Sequence, residues 1–224
     1  MKNRVFISDS LAPEGVAILE QAGVEIDNRP GLKGAELQSA LDQADGVIIR
    51  SGTTLTADLL DKPKKLRIVV RAGVGVDNID VPAATRNGVI VMNTPGGNTL
   101  STAEQTVALM LAMCRFVPAA DATLRGGKWD RKSFTGTQVG GKTLGVIGLG
   151  RIGQAVAKRA QGLEMKVIGY DPFLTAEKVG DLGIEPAGSI AELLPKIDIL
   201  TVHVPGSADT KSLVGAKEIA SMKK

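Results

Sequence analysis

The chain has 224 residues, 43% hydrophobic and 23% charged, with a formal net charge of +3 and a single cysteine. This is globular composition with apolar material for one or two cores, and it excludes a disulfide within the chain. It offers neither an apolar run of membrane-spanning length nor a basic stripe for nucleic acid, since the lysine-dense stretch 62–65 is short, broken by a proline, and reads as a solvated loop or helix end. Short apolar runs and amphipathic runs alternate through residues 1–95. The pattern predicts strands over 5–8, 24–26, 46–50, 66–70 and 89–92. Helices are expected over 14–22, 34–43, 56–60 and 81–86. Such alternation predicts an α/β fold with a parallel sheet covered on both faces. No signal-peptide pattern precedes the first strand, so a cytoplasmic location is expected.

The run Asn93-Thr94-Pro95-Gly96-Gly97-Asn98 is a Pro/Gly-rich break, and a domain boundary is expected there, between residues 1–95 and 96–224. Beyond it a long helix is predicted over 102–115, with Ser101 or Thr102 as its cap and Glu104 in its first turn. Cys114 lies in this apolar run and reads as a buried core thiol. A second helix is expected over 119–124, then a polar, glycine-rich loop over 126–141.

The most informative stretch follows: Thr143-Leu144-Gly145-Val146-Ile147-Gly148-Leu149-Gly150-Arg151-Ile152-Gly153. An apolar strand ends in a Gly-x-Gly-x-x-Gly turn and passes at once into a helix over 154–161. A second apolar strand over 165–170 ends at Asp171, about 20 residues past the turn. Each glycine has a distinct task. Gly148 permits the tight turn, Gly150 lets a pyrophosphate approach bare backbone, and Gly153 lets the helix pack against the strand. The N–H groups that open the helix, including those of Arg151 and Ile152, face the phosphates with the positive end of the helix dipole behind them. Asp171 is placed to accept hydrogen bonds from ribose hydroxyls and to repel a 2′-phosphate. The residues after it, Pro172-Phe173-Leu174, bring no cation, so NAD is expected over NADP. A weak third strand near Ile184, a helix over 189–194 and a fourth strand over 197–202 complete the pattern. Four of the six strands of a full dinucleotide fold are drawn, which leaves the fourth as an open edge.

Several segments together resemble the D-isomer-specific 2-hydroxyacid dehydrogenases. They are Ile7-Ser8-Asp9-Ser10-Leu11, Ile49-Arg50-Ser51-Gly52-Thr53, Arg71-Ala72-Gly73-Val74-Gly75-Val76-Asp77-Asn78-Ile79-Asp80, Val91-Met92-Asn93-Thr94-Pro95, Gly127-Lys128-Trp129-Asp130-Arg131-Lys132 and the nucleotide turn. The resemblance implies a flavodoxin-like substrate domain followed by a Rossmann NAD-binding domain. It implies hydride transfer between a nicotinamide and the C2 of a small 2-hydroxy acid. The resemblance also implies a phosphorylated acid, toward which several cations should converge, with Arg50 beside Ser51, Arg71 and Arg131 expected to hold its phosphate. Val74 and Gly75 are expected to contact nicotinamide or substrate, and Asn98 is a further pocket candidate. His203, the only histidine, is expected with Val204 and Pro205 to line the cofactor crevice rather than to act as base. No metal is expected. In this family the base is a His paired with a Glu, and an Arg holds the carboxylate. None of the three matches a position here, and all three are expected beyond Lys224. The chain is therefore expected to be an N-terminal part of such an enzyme and inactive alone. The resemblance further implies a homo-oligomer built on the long helix and the Trp129 loop. Two alternatives stay open: an NAD-responsive binding protein without catalysis, and a dehydrogenase for another D-2-hydroxy acid.

Overall fold

A computed structural model describes residues 2–62, 65–207 and 209–223. Of the lysine-dense stretch, Pro63 and Lys64 lie outside the described residues. Lys224 also lies outside them. The chain divides into two compact units, one ending at Asn98 and the other beginning at Thr99.

The first unit runs β1 (Arg4–Ile7), α1 (Pro13–Gln21), β2 (Glu25–Asn28), α2 (Gly34–Gln43), β3 (Gly46–Ile49), α3 (Ala57–Leu60), β4 (Ile68–Arg71), α4 (Val81–Arg86) and β5 (Ile90–Asn93). Among the described residues its strands form one parallel sheet in the order β2-β1-β3-β4-β5. That is the doubly wound order expected of a flavodoxin-like domain. Every strand that has a neighbour on both sides must be apolar on both faces, which is why Phe6, Ile7, Val47, Ile49 and Val69 are buried. Leu37, Ala40 and Leu41 recur at helical spacing and turn the inner face of α2 into the same core. Full burial of one such leucine stabilises the fold by about 1.5–3 kcal/mol. Asp27 is a buried acid in β2, and it is paired: Arg4 donates to it at 2.9 Å and Arg29 at 2.6 Å. The bond from Arg29 holds its carboxyl below the usual carboxylate range.

The second unit runs α5 (Thr99–Cys114), α6 (Val117–Arg125), β6 (Thr143–Ile147), α7 (Arg151–Gly162), β7 (Lys166–Tyr170), α8 (Ala176–Asp181), β8 (Glu185–Pro186), α9 (Ile190–Leu193), β9 (Ile199–Val202) and α10 (Ala216–Ala220). Among the described residues its sheet is parallel, in the order β8-β7-β6-β9. This is the 3-2-1-4 portion of the dinucleotide-binding order. β6 lies inside the sheet and all five of its residues are buried. β9 pairs with β6 and forms the outer edge on its side. Val156, Ala157 and Ala160 of α7 pack on this sheet together with Ala103 and Met110 of α5.

Three expectations need correction. α5 starts at Thr99, so Ser101 and Thr102 lie inside the helix rather than capping it. Cys114 is half-buried and packs at the margin of the second core instead of within it. The weak third strand does not include Ile184; it is the two-residue β8, and its Pro186 has no N–H to donate. Among the described residues no single helix is long and apolar enough to cross a membrane.

Candidate functional site

In the second unit the site grows out of the end of β6. Gly148 takes a left-handed φ of 87°, and its N–H donates to the Tyr170 carbonyl at 2.8 Å. A side chain at Gly148 would strike the His203 carbonyl. Gly150 caps α7 with an extended backbone, and a methyl built on it meets no atom within 4 Å. Gly153 is buried in the first turn of α7, where a methyl would collide with the carbonyl of Gly148. The three glycines thus separate physically into one turn, one open approach and one close contact. The first-turn N–H groups of α7 have no carbonyl of their own helix to reach, and they sit beside the open glycine. Ile152 packs its side chain against the second core. Arg151 lines a separate depression with Thr99, Gln154 and Lys158.

Asp171 follows β7. Its Oδ2 accepts the N–H of Leu149 at 2.8 Å and its Oδ1 accepts the N–H of Phe173 at 2.9 Å. The carboxylate therefore grips the glycine loop itself, a task invisible in the sequence because the two residues stand 22 positions apart. His203 follows β9. Its N–H donates to the Ile147 carbonyl at 2.7 Å, and its Nε2 lies 2.9 Å from the Thr201 hydroxyl. A cavity of about 470 Å³ opens at the carboxyl ends of β6, β7 and β9 and gathers Gly148, Gly150, Asp171, His203, Val204 and Pro205. Phe173, Ile190, Thr210 and Leu213 also line it, and sequence reasoning missed them. The adjacency of Phe173 to Asp171 was the one available signal; Thr210 is brought in by its own bond to the Pro205 carbonyl, at 2.6 Å.

Burial holds the His203 imidazole below its ordinary value of 6.5. The folded value lies below the unfolded one, so the unfolded chain takes up the proton first as the pH falls. The stability His203 contributes is present above 6.5 and is lost as the pH drops from there through the folded value. His203→Gln should therefore flatten the fall in urea midpoint between about pH 7.5 and about pH 5.5. An equally steep fall in the variant would show that the imidazole is not the group responsible.

In the first unit the loops after β1, β3 and β4 meet at the carboxyl ends of the strands. Arg50 and Ser51 are exposed. The Arg71 Nε donates to the Asn78 Oδ1 at 3.1 Å, and the Asn78 Nδ2 donates to the Arg50 carbonyl at 2.7 Å. One amide side chain thus links the two expected phosphate-binding arginines. The Val74 carbonyl accepts from Asn93 at 2.7 Å, and Gly75 is exposed beside Asp77. Asn98 is exposed at the end of this unit. Arg131 belongs to the second unit, on an exposed turn where Asp130 accepts the N–H groups of Lys132 and Ser133, both at 3.1 Å. Asn78 and Asp9 were not singled out from sequence, because their partners are distant along the chain.

The second unit fits a dinucleotide on four counts: an open glycine facing a helix start, a carboxylate at the end of the second strand, a largely apolar crevice, and strand ends that converge on it. Among the described residues no group of three His, Cys, Asp or Glu side chains is placed to hold a metal.

Residues 107–224 match the family model described as D-isomer specific 2-hydroxyacid dehydrogenase, NAD binding domain. The chain is 47% identical over 221 residues to the D-3-phosphoglycerate dehydrogenase of Methanocaldococcus jannaschii, covering 99% of this chain and 42% of that protein. It is 44% identical to the D-3-phosphoglycerate dehydrogenase of Rattus norvegicus, covering 99% of this chain and 41% of the relative. The chain thus spans about two fifths of the length of these curated relatives. Its fold resembles that of the NAD+-bound 3-phosphoglycerate dehydrogenase of Entamoeba histolytica, with a TM-score of 0.81 and 30% identity, covering 100% of this chain and 69% of that one. The chain belongs to the D-isomer specific 2-hydroxyacid dehydrogenases, and residues 107–224 are their NAD binding domain.

Proposed function

We propose that this chain forms the substrate- and NAD-binding part of an enzyme that oxidises D-3-phosphoglycerate to 3-phosphohydroxypyruvate, the entry step of phosphorylated serine synthesis. The observation that carries the substrate is that Asn78 ties the Arg71 guanidinium to the Arg50 backbone, which places both residues at one cluster of strand ends. Two guanidinium-bearing residues at one strand-end cluster suit a dianionic phosphate better than a plain hydroxy acid. The names of the similar proteins support the same reading.

When bound, the nicotinamide supplies the hydride acceptor. The residues of this chain hold and orient. The α7 start and Gly150 receive the pyrophosphate, Asp171 receives the ribose, and Val204 and Pro205 close the apolar wall. Arg50 and Arg71 fix the far end of the acid, and a fixed phosphate restrains where C2 sits. His203 is not assigned the proton, because Thr201 and burial favour a neutral, structural ring. In this reading the 224 residues bind both ligands but turn over neither, since the base and the carboxylate-holding Arg belong to the remainder of the longer protein.

Calorimetry of the chain with 3-phosphoglycerate tests the substrate. Arg50→Ala is expected to weaken binding by about tenfold or more, the worth of one charged hydrogen bond, while D-glycerate binds feebly to both forms. Equal affinity of the variant for 3-phosphoglycerate would remove Arg50 from the phosphate site.

The full protein is further proposed to self-associate through α5 and α6. Leu109, Met113, Val117 and Leu124 stand exposed on these helices and Phe116 on the turn between them, an apolar display that monomers rarely leave uncovered. Sedimentation of Met113→Glu beside the unsubstituted chain checks this: a smaller species is expected, and equal sizes would remove the interface.

A further inference from the structure

We propose that Asp9 and Asn78 are positioning residues, which hold the 50–53 loop and the Arg71 guanidinium ready for the substrate phosphate without touching it. The inference rests on the reading that the first unit takes a phosphorylated acid.

The loop Arg50-Ser51-Gly52-Thr53 leaves the end of β3 with two exposed residues, Ser51 and Gly52, at its tip. Left to itself such a tip would sample many conformations, and a ligand would have to order it. Two side chains from elsewhere grip its ends instead. The Asp9 Oδ2 accepts the N–H of Arg50 at 2.6 Å and that of Thr53 at 3.1 Å. The Asn78 Nδ2 donates to the carbonyl of Arg50 at 2.7 Å and to that of Thr53 at 2.5 Å. The same two residues are therefore held by their donors on one side and by their acceptors on the other. Below them Thr53 is fully buried, and its hydroxyl lies 2.9 Å from that of Ser8.

Asn78 is nearly saturated by this arrangement. Both of its N–H groups serve the loop, and its oxygen receives the Arg71 Nε at 3.1 Å. That bond fixes the plane of the guanidinium and leaves its terminal nitrogens uncommitted to Asn78. Lys33 adds a third cation, donating to the Gly52 carbonyl at 2.7 Å. The oddity is Asp9. A carboxylate beside a seat for an anion opposes binding by simple Coulomb repulsion, so its presence calls for another task. Its two bonds to loop N–H groups supply one, and both are made by a single oxygen. The task then needs an acceptor oxygen, not a charge.

The test uses the 224-residue chain with Asp9→Ala, Asp9→Asn and Asn78→Ala. Titration of 3-phosphoglycerate and of NADH is followed by calorimetry, and amide hydrogen exchange at residues 50–53 is read without ligand. In Asp9→Ala and Asn78→Ala, loop exchange is expected to rise by about tenfold and 3-phosphoglycerate affinity to fall by about tenfold, with NADH affinity held within about twofold. Asp9→Asn can present its amide oxygen where Oδ2 stands, so it should match the unsubstituted chain. If Asp9→Asn is as damaging as Asp9→Ala, or if loop exchange ignores both alanine variants, the positioning roles are wrong. If 3-phosphoglycerate fails to bind the unsubstituted chain while loop exchange responds as stated, the substrate reading falls and the positioning roles stand. If the acid binds and loop exchange does not respond, the reverse holds.

Discussion

Gly153→Ala is expected to cost the second unit both stability and its cofactor, whereas Gly150→Ala is expected to cost the cofactor alone. A methyl on Gly153 would sit against the Gly148 carbonyl oxygen and 3.4 Å from Val146 Cγ1. Gly148 has no room to withdraw. Its φ of 87° suits glycine only, its N–H is bound to the Tyr170 carbonyl, and the His203 carbonyl lies directly behind it. The start of α7 must therefore lift away from β6. Overpacking of this kind costs about 1–3 kcal/mol, and the lift carries the helix N–H groups away from the phosphates. A loss of about 1.4 kcal/mol in binding is a tenfold rise in Kd, so NADH affinity should drop by about tenfold to a hundredfold. Gly150 differs: a methyl there meets nothing, and its φ of −68° is ordinary for alanine. Stability should change by less than about 1 kcal/mol, yet the methyl occupies the path of the pyrophosphate. Thermal midpoints and NADH titrations of the two variants decide the matter. A Gly150→Ala protein that binds NADH normally would show that the phosphates do not lie at this turn.

What could be read from sequence followed the strength of each local signal. α2 and α4 fall where the sequence pattern puts them, at Gly34–Gln43 and Val81–Arg86. In α4 the Asp80 side chain accepts the Ala83 N–H, and a proline sits in the first turn, which is the expected chemistry of a helix start. Strand positions were right in order but shifted at their ends. In 66–70 Arg67 breaks the apolar run, and β4 starts only after it, at Ile68–Arg71. α8 was missed altogether, being six residues long and containing a glycine; only the Thr175 cap, which accepts from Lys178, announces it. At the site, the glycine turn carried its geometry locally. The grip of Asp171 on Leu149, of Asp9 on Arg50 and of Asn78 on Thr53 spans 22, 41 and 25 residues. Such bonds arise from how parallel strands bring their carboxyl ends together, and no spacing rule along the chain reveals them.

Asp171→Ala is expected to weaken NAD binding by about a hundredfold or more without making NADP a ligand. The usual argument for this carboxylate treats it as a discriminator: it binds ribose hydroxyls and repels a 2′-phosphate, so its removal should admit NADP. The structure adds a prior obligation. A carboxylate offers about four acceptor sites, and two are already taken by the N–H groups of Leu149 and Phe173. The rest serve the ribose. Alanine removes all of them at once. The Leu149 N–H is left in a partly buried place without an acceptor, which costs about 1–3 kcal/mol or forces the loop to move. Leu149 cannot move freely, because its side chain is 1% exposed in the second core. The strain falls on the neighbouring glycines that receive the pyrophosphate, and the pyrophosphate is common to NAD and NADP. Pro172, Phe173 and Leu174 bring no cation to reward a 2′-phosphate. Loss of repulsion is thus offset by loss of the seat. Asp171→Asn keeps one acceptor oxygen, enough for Leu149 or Phe173 but not both, and should fall between. Parallel NAD and NADP titrations, with thermal midpoints, separate the two accounts. If Asp171→Ala binds NADP as tightly as the unsubstituted chain binds NAD, the carboxylate acts by repulsion alone and its hold on the glycine loop is dispensable.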